Sequence, residues 1–486
     1  MAMTRDWDQS ADVIVVGSGA GGLSAAIRCA RAGLDVLVLE KTPFYGGSTA
    51  ISGGVVWIPE NSLMAECGSP DIPGTAKTYL RHTLGEQFNE ALIDAFLEQG
   101  PKMVDYFRLN TDVQLVPRMY APDYQSEVEG ASYGGRALDP AVFDGRELGD
   151  WFPLLRAPLP QMTIFGGMMV SRYDIDHLTH LWRRWSSFRH GVSILLRHAV
   201  DRLRYPRGTR LLAGNALAGR LLKSAVDAGV RLRNLARVEA LLSDDTGAAT
   251  GVEVNLGGQV QRIAARRGVV LASGGFAANK TLARESVACA ESHLTMAPEG
   301  SEGDGLRMVK AMGGQCGSRN HNPVLLTPVS VLRTRRGEEV RFPHLILDRQ
   351  KPGLIAVNHQ GQRFVNEANS YHSFVEGMYH GRQAAETIPA YLICDACFLS
   401  RYGLGLARPW PFPHGGLVRN GYLLCAPTPA QLAEKIGVPA DNLKASIEAN
   451  NRYAVTGVDK DFGRGSTEYN RYLGDPAHKP NPCIGP

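Results

Sequence analysis

Residues 12–54 read DVIVVGSGAGGLSAAIRCARAGLDVLVLEKTPFYGGSTAISGG, and this stretch decides the fold. Asp12 to Val16 is short, apolar and β-branched, the pattern of a parallel strand buried on both faces. It runs straight into Gly17-Ser18-Gly19-Ala20-Gly21-Gly22. In such a loop Gly17 permits the tight turn, Gly19 lets the backbone approach a pyrophosphate and Gly22 lets the following helix pack closely, while the free N–H groups of the first turn, at Ala20 and Gly21, meet the phosphates at the positive end of the helix dipole. The helix carries Leu23, Ala26, Ile27 and Ala30 on one face and ends at Gly33. A second apolar strand, Val36 to Leu39, delivers Glu40 eighteen residues past Gly22, where a carboxylate accepts hydrogen bonds from a ribose diol and repels a 2′-phosphate. The unit is a dinucleotide-binding βαβ.

The residues after Glu40 narrow the cofactor to FAD. Gly47, Ser48 and Thr49, then Ser52, Gly53 and Gly54, put small residues and hydroxyl donors where an ordinary nicotinamide-binding protein has its crossover helix. Backbone of that kind can wrap a flavin's pyrophosphate and ring edge. Arg267 to Leu271 reads as another buried strand, ending in Ser273-Gly274-Gly275, and is expected to re-enter the same sheet beside the cofactor. Residues 210–228 read as a helix closed by Gly229. A hairpin is expected around Asp244-Asp245-Thr246-Gly247, with Gln259 to Ile263 as a separate strand.

The chain has 486 residues, 44% hydrophobic and 21% charged, with a net charge of +4. That charge argues against a nucleic-acid partner. Met1 to Ala11 is polar and no apolar run approaches the roughly 20 residues that span a bilayer, so a cytoplasmic protein is expected. Eight cysteines are scattered along the chain, and only Cys394-Asp395-Ala396-Cys397 has redox spacing. Without a second such pair or a histidine pair, these read as buried structural cysteines. His359, His372 and His380 show no ligand spacing, and Ser273 has no histidine and aspartate arranged with it, so neither a metal site nor covalent serine chemistry is expected. There is no haem or iron–sulfur motif, and the electron acceptor after the flavin stays unassigned.

The chain divides into a discontinuous FAD-binding domain, residues 8–60 and 205–325, a helical and irregular excursion over 61–204, and a substrate domain over 326–486. The fold class is α/β: a Rossmann-like domain of the two-dinucleotide-fold flavoprotein type with an inserted excursion and a separate α+β capping domain. Within 182–210, eight arginines face one acid, Asp201, with Trp182, Trp185, Phe188, Ile194, Leu195 and Leu196 interleaved. A basic amphipathic stretch of this kind suits either a solvated or subunit-facing surface or peripheral contact with an anionic membrane.

The stretch Pro352 to Tyr371, with Gly361-Gln362-Arg363-Phe364-Val365-Asn366-Glu367 at its centre, and Gly300 to Leu306 resemble, with the N-terminal fingerprint, the flavoprotein family of fumarate reductases and 3-ketosteroid dehydrogenases. The resemblance runs over almost the whole chain. It places Lys41, Val238 and Asp304 at the FAD site beside the glycine loops. Soluble fumarate reductases carry a proton-delivering arginine five places after the motif's asparagine; here that place is Tyr371. A phenol holds no permanent positive charge against a dicarboxylate, and the 3-ketosteroid Δ1-dehydrogenases share the tyrosine. The resemblance therefore implies desaturation of a steroid or similar apolar ketone, with hydride leaving C1 for the flavin and Tyr371 taking the C2 proton. It implies a supporting role for Tyr124 of Pro122-Asp123-Tyr124, with Tyr120 a lesser candidate. Desaturation at C4–C5 or of another enone is the alternative within the family. In relatives the stretch Lys479 to Pro486 leads into a further segment whose tyrosine and glycine polarise the C3 carbonyl, so a truncated, non-catalytic flavin-binding remnant is the alternative outside it.

Overall fold

A computed structural model of the chain describes residues 6–179, 184–287, 292–317, 322–334, 336–345, 348–380 and 384–486. The first strand, β1 (Gln9–Val16), is followed by helix α1 (Ala20–Arg31) and strand β2 (Val36–Leu39), which pairs parallel to β1 with Val13 opposite Val36 and Val16 opposite Leu39. Every residue of β2 is buried. Odd and even positions of these strands therefore serve two different cores.

The chain then leaves the sheet. Helix α2 (Glu90–Asn110), a small three-stranded sheet and helix α3 (Trp185–Arg204) belong to this excursion. Arg210 and Leu211 pair antiparallel with Phe143 and Asp144, so the return helix α4 is Ala213–Asp227 and starts three residues later than its apolar periodicity indicates. Strands β3 (Arg231–Arg233), β4 (Ala236–Ser243), β5 (Ala249–Leu256) and β6 (Gln259–Leu271) complete a six-stranded sheet of order β3-β2-β1-β6-β5-β4.

The expected division between Gln259 to Ile263 and Arg267 to Leu271 is corrected: both lie on the single strand β6. It pairs antiparallel with β5 over its first half and parallel with β1 over its second. Arg266 falls between the two expected strands, but it is bound to Asp12 at 2.8 Å and Asp35 at 3.3 Å, and after a register shift beside it the ladder with β1 resumes. Helices α1 and α4 cover one face through Leu23, Ala26, Ile27, Leu217, Leu221 and Leu222, packed on Val13, Val15, Val36 and Val38. The other face buries Ile14, Val16, Leu37 and Leu39 against Val238, Val252, Val254 and Met308.

Beyond the sheet, β7 (Val329–Arg333) and β8 (Glu339–Pro343) form a hairpin, and β9 (Leu354–Val357) pairs antiparallel with β10 (Tyr391–Cys394) around the intervening helix α5 (Tyr371–His380). Helix α6 (Glu468–Tyr472) closes back onto the Pro122–Ser126 segment, where the Tyr469 N–H donates to Ser126 Oγ at 3.0 Å. The pair Cys394 and Cys397, at the end of β10 and just past it, is not uniformly buried. Cys394 is half-buried, and burial pushes its thiol up to about 12, but Cys397 is exposed, and both are free.

Candidate active site

At the nucleotide end, Gly17 has φ of 102° and an added Cβ would lie 2.4 Å from the Ala272 carbonyl at the exit of β6. A Cβ on Gly22 would lie 2.0 Å from the Gly17 carbonyl. These two glycines are what lets α1 start this close to the strand ends. Gly19 is the N-cap of α1 and offers no side-chain cap, and the first turn holds no acid, so its N–H groups remain available to an anion except that of Ala20, which donates to Thr49 Oγ1 at 3.0 Å. Nothing lies within 4 Å of where a Cβ on Gly21, Gly274 or Gly275 would be, and Gly47 sits against the Gly19 backbone. The second loop is pinned from within: the Ser48 carbonyl accepts from the Ile51 N–H at 3.3 Å, Ser52 Oγ donates to the Thr49 carbonyl at 2.8 Å, and the Gly54 N–H donates to Ser52 Oγ at 3.0 Å. Gly53 precedes that last contact. Exposed backbone, an uncapped helix start and hydroxyl donors form a cradle that fits the pyrophosphate of FAD.

Glu40 is buried at the end of β2, where Oε2 accepts from Ser18 N–H and Oγ at 3.2 and 2.6 Å and Oε1 accepts from Thr42 N–H and Oγ1, both at 2.9 Å. Its carboxylate is thereby fixed before any ligand arrives. Lys41 pairs with Asp304 and, at 3.0 Å, with Glu302, while Arg237 reaches Asp304 at 3.1 Å. So Lys41 and Asp304, both placed at the cofactor by resemblance, neutralise one another and tie the β2 exit to the helix Asp304–Ala311. Ser273 Oγ accepts from the Gly305 N–H at 3.1 Å, and the Gly275 carbonyl accepts from the Gly303 N–H at 3.1 Å. The Val238 side chain points into the sheet core, leaving only its backbone for a ligand.

The tyrosines gather elsewhere. Tyr371 opens α5, whose start is capped by Ser370 Oγ accepting from the Ser373 N–H at 3.2 Å. Tyr124 donates its hydroxyl to the Tyr371 oxygen at 3.2 Å. Asp123 aims Tyr124, because its carboxylate accepts from Trp57 Nε1 at 2.7 Å, the Ser132 N–H at 2.9 Å and Arg136 at 2.8 Å. Although the Tyr124 residue is 54% exposed, desolvation of its phenol and then the Tyr371 oxygen push it well above the ordinary 10. Tyr124 therefore keeps its proton and acts as the donor of the pair. Tyr120 does not join them. Its hydroxyl donates to Glu468 at 2.8 Å and is pushed up to about 12, first by desolvation and then by that acid.

Sequence reading missed a third member of the cluster. Tyr469, 3% exposed, packs edge-on against Tyr124 with ring centroids 5.1 Å apart, and its hydroxyl has no hydrogen-bond partner among the described residues. Nothing in Glu468-Tyr469-Asn470 marks it; only the return of α6 brings it in.

The Gly361-x-Arg363-Phe364-x-Asn366-Glu367 motif holds this cluster without contributing to it directly. Arg363 binds Glu367 through two nitrogens at 2.8 and 2.7 Å and Asp459 at 2.9 Å, and Arg464 approaches Glu367 at 3.4 Å. Asn366 donates to Asn470 at 2.9 Å, and Asn470 donates to Asn369 at 3.0 Å. The motif thus locks the start of α5 to α6. Among the described residues no cluster of His, Cys, Asp and Glu has metal-binding geometry.

A family model described as an FAD binding domain matches residues 12–486. The chain is 40% identical over 478 residues to a 4-oxocyclohex-2-ene-1-carboxylate 5-dehydrogenase of Sinomonas cyclohexanicum, covering 98% of this chain and 80% of the relative. It is 34% identical over 491 residues to a 3-oxosteroid 1-dehydrogenase of Mycobacterium tuberculosis, covering 98% and 84%. Among solved structures, the 3-ketosteroid Δ1-dehydrogenase of Sterolibacterium denitrificans in complex with 1,4-androstadiene-3,17-dione matches with a TM-score of 0.86 and 34% identity, over 98% of this chain and 85% of that one.

Proposed function

The chain belongs to the flavoprotein family defined by that FAD binding domain, and from this premise we propose that it desaturates a ring carbon–carbon bond next to a ketone, with a 3-ketosteroid as substrate and the new double bond between C1 and C2. The observation that carries the reading is the Tyr124–Tyr371 hydroxyl pair. Bound FAD supplies the acceptor for the hydride. The protein's own part is acid–base chemistry: the proton on the carbon next to the carbonyl is acidified by enolisation, and Tyr371 takes it. Tyr124, held protonated, donates its hydrogen bond to Tyr371 and stabilises the charge on that oxygen while it acts as base.

The Sinomonas relative, 40% identical, is a dehydrogenase of 4-oxocyclohex-2-ene-1-carboxylate, which makes that ring-ketone carboxylate the second reading. Charge favours the neutral steroid. The two guanidinium groups that act electrostatically on the tyrosine cluster are both engaged: Arg118 grips Asp139 through two nitrogens at 2.6 and 2.7 Å, and Arg349 is fully buried among the carbonyls of His344, Leu345, Glu367 and Asn369. Each already directs at least two of its N–H donors to oxygens of the protein itself. A cavity of about 1450 Å³ borders α5 through Phe374, Val375 and Met378, with none of Tyr124, Tyr371 and Tyr469 in its lining.

The flavin-loaded chain, incubated with 4-androstenedione or with 4-oxocyclohex-2-ene-1-carboxylate and an artificial electron acceptor, separates the readings. Acceptor reduction with a Δ1 product from the steroid supports the first. Turnover of the carboxylate alone replaces it with the second, and a steroid product unsaturated elsewhere overturns the position of the bond.

No helix among the described residues is long and apolar enough to cross a membrane. Peripheral contact is proposed for α3, where Trp185, Leu196, Val200 and Leu203 are exposed among Arg189, Arg197, Arg202 and Arg204; residues 182 and 183 lie outside the described residues. Sedimentation with anionic vesicles at low salt, reversed at high salt, is the expected result, and no binding at low salt ends the idea.

A further inference from the structure

At the far side of the large cavity, four polar side chains line up in one hydrogen-bonded row. His344, just past β8, presents Nδ1 to Asp348 Oδ2 at 2.6 Å and Nε2 to Ser330 Oγ on β7 at 2.7 Å. Ser330 Oγ is 2.6 Å from the Tyr422 hydroxyl. The outer ends are fixed by backbone: the Gly405 N–H donates to Asp348 Oδ2 at 3.2 Å and the Leu406 N–H donates to the Tyr422 oxygen at 3.0 Å. With a neutral imidazole, the Asp348 carboxylate accepts from His344 Nδ1–H, Nε2 is the basic nitrogen and accepts from Ser330, and the Ser330 oxygen in turn accepts from Tyr422. His344 and Asp348 are buried, and Ser330, His344 and Tyr422 line the cavity. Gly405, with φ of 59°, is where a Cβ would lie 2.2 Å from the Tyr422 oxygen and 3.0 Å from His344 Cε1, so the row is closed on that side by a residue with no side chain.

We propose that Ser330, His344 and Asp348 form a nucleophilic triad, with Tyr422 as donor to the oxyanion, that acylates on and hydrolyses a neutral carboxylic ester or lactone with an apolar acyl part. The roles follow from the row. Ser330 Oγ bonds to the acyl carbon while its proton passes to His344 Nε2; that proton then goes to the alkoxide as the ester C–O bond breaks. Water, deprotonated by His344, cleaves the acyl-serine and releases the acid. Asp348 holds the tautomer and stabilises the imidazolium. The Tyr422 O–H, released from Ser330 when Oγ is consumed, lies beside the developing oxyanion. The ligand class comes from the cavity wall, where Leu326, Val329, Leu392, Leu423 and Leu424 stand among the lining residues. No hydrogen bond among the described residues joins any of the four side chains to the tyrosine cluster.

The test uses the flavin-loaded chain, a fluorophosphonate probe and p-nitrophenyl butyrate. Peptide mass spectrometry is expected to find one phosphonyl group per chain on Ser330. Ser330→Ala should lose it with flavin absorbance and melting temperature unchanged, and His344→Gln should slow it about 100-fold or more. Tyr422→Phe should still be labelled but hydrolyse the ester about 100-fold more slowly. No adduct on Ser330, or labelling indifferent to His344, overturns the proposal.

Discussion

Replacing Glu367 by glutamine should destabilise this protein more than most single isosteric changes, and the magnitude follows from its contacts. Glu367 is 0% exposed. Oε1 accepts from the Ala356 N–H at 3.0 Å and Arg363 Nε at 2.8 Å, and Oε2 accepts from Arg363 at 2.7 Å and faces Arg464 at 3.4 Å. Around it two buried guanidinium groups, Arg363 and Arg464, stand against two buried carboxylates, Glu367 and Asp459. Glutamine keeps the Ala356 bond but turns an NH2 toward the guanidinium groups. Arg363 retains Asp459 and Arg464 retains the carbonyls of Leu354, Arg349 and Lys351, yet one buried positive charge is left uncompensated. Breaking a buried pair from one side costs about 3–5 kcal/mol. At about 2–4 °C per kcal/mol for a unit of 150–250 residues, that is a fall of roughly 6–20 °C in melting temperature.

Calorimetry at pH 7 reads this directly, and pH supplies the control. Burial alone pushes the Glu367 carboxyl up, but the Arg464 and Arg363 charges hold it below its ordinary value. A carboxyl depressed on folding contributes stability that is full above its unfolded pKa, about 4.3, and is lost as pH falls through the folded value. The stability gap between wild type and Glu367→Gln should therefore narrow in acid. A variant that melts within about 2 °C of wild type at pH 7, or a gap that ignores pH, refutes the reasoning.

Tyr371→Phe should cut acceptor reduction by about 10²–10⁴-fold with the melting temperature unchanged, and Tyr124→Phe, losing one supporting bond, by only about 5- to 30-fold; equal activity in Tyr371→Phe removes that residue from the base role. Gly22→Ala should purify without flavin, read as loss of the visible absorbance band, because its Cβ would stand 2.0 Å from the Gly17 carbonyl; full flavin content shows that the loop can shift. Asp174, buried, is desolvated upward but drawn down to about 2 by hydrogen bonds from Ser171 and His190 and the charge of Arg210. Its contribution, about 2 kcal/mol, is present above pH 4 and lost between pH 4 and 2, so denaturation profiles of wild type and Asp174→Asn should converge there.

The nucleotide half of the site was legible because its determinants are local. A strand, a glycine turn, a helix and an acid at the next strand's end occur within 29 residues, Asp12 to Glu40, and the periods of 2 and 3.6 that define them are properties of neighbouring backbone. The close contact of Gly22 with the Gly17 carbonyl is of the same kind, whereas that of Gly17 with the Ala272 carbonyl depends on β6 returning to the sheet. Tyr371 was reachable through its spacing from Asn366, but as a position only. Local pattern also misled: Gln259 to Ile263 and Arg267 to Leu271 read as two strands, because the ion pairs of the intervening Arg266 with Asp12 and Asp35 are not visible in sequence.

Tertiary structure alone decided which side chains share a hydrogen bond across the chain. Tyr124 and Tyr371 are 247 positions apart, and Tyr469 joins them only because α6 docks on Ser126. Ser330 and Tyr422, 92 apart, meet His344 and Asp348 through a hairpin and a glycine turn, although no spacing in the sequence suggested serine chemistry. Side-chain hydrogen bonds act over about 3 Å, whereas sequence periodicity fixes only which face of an element a residue occupies. The sequence thus determined a flavin-binding βαβ and a tyrosine in the place of an arginine; packing chose that tyrosine's partners.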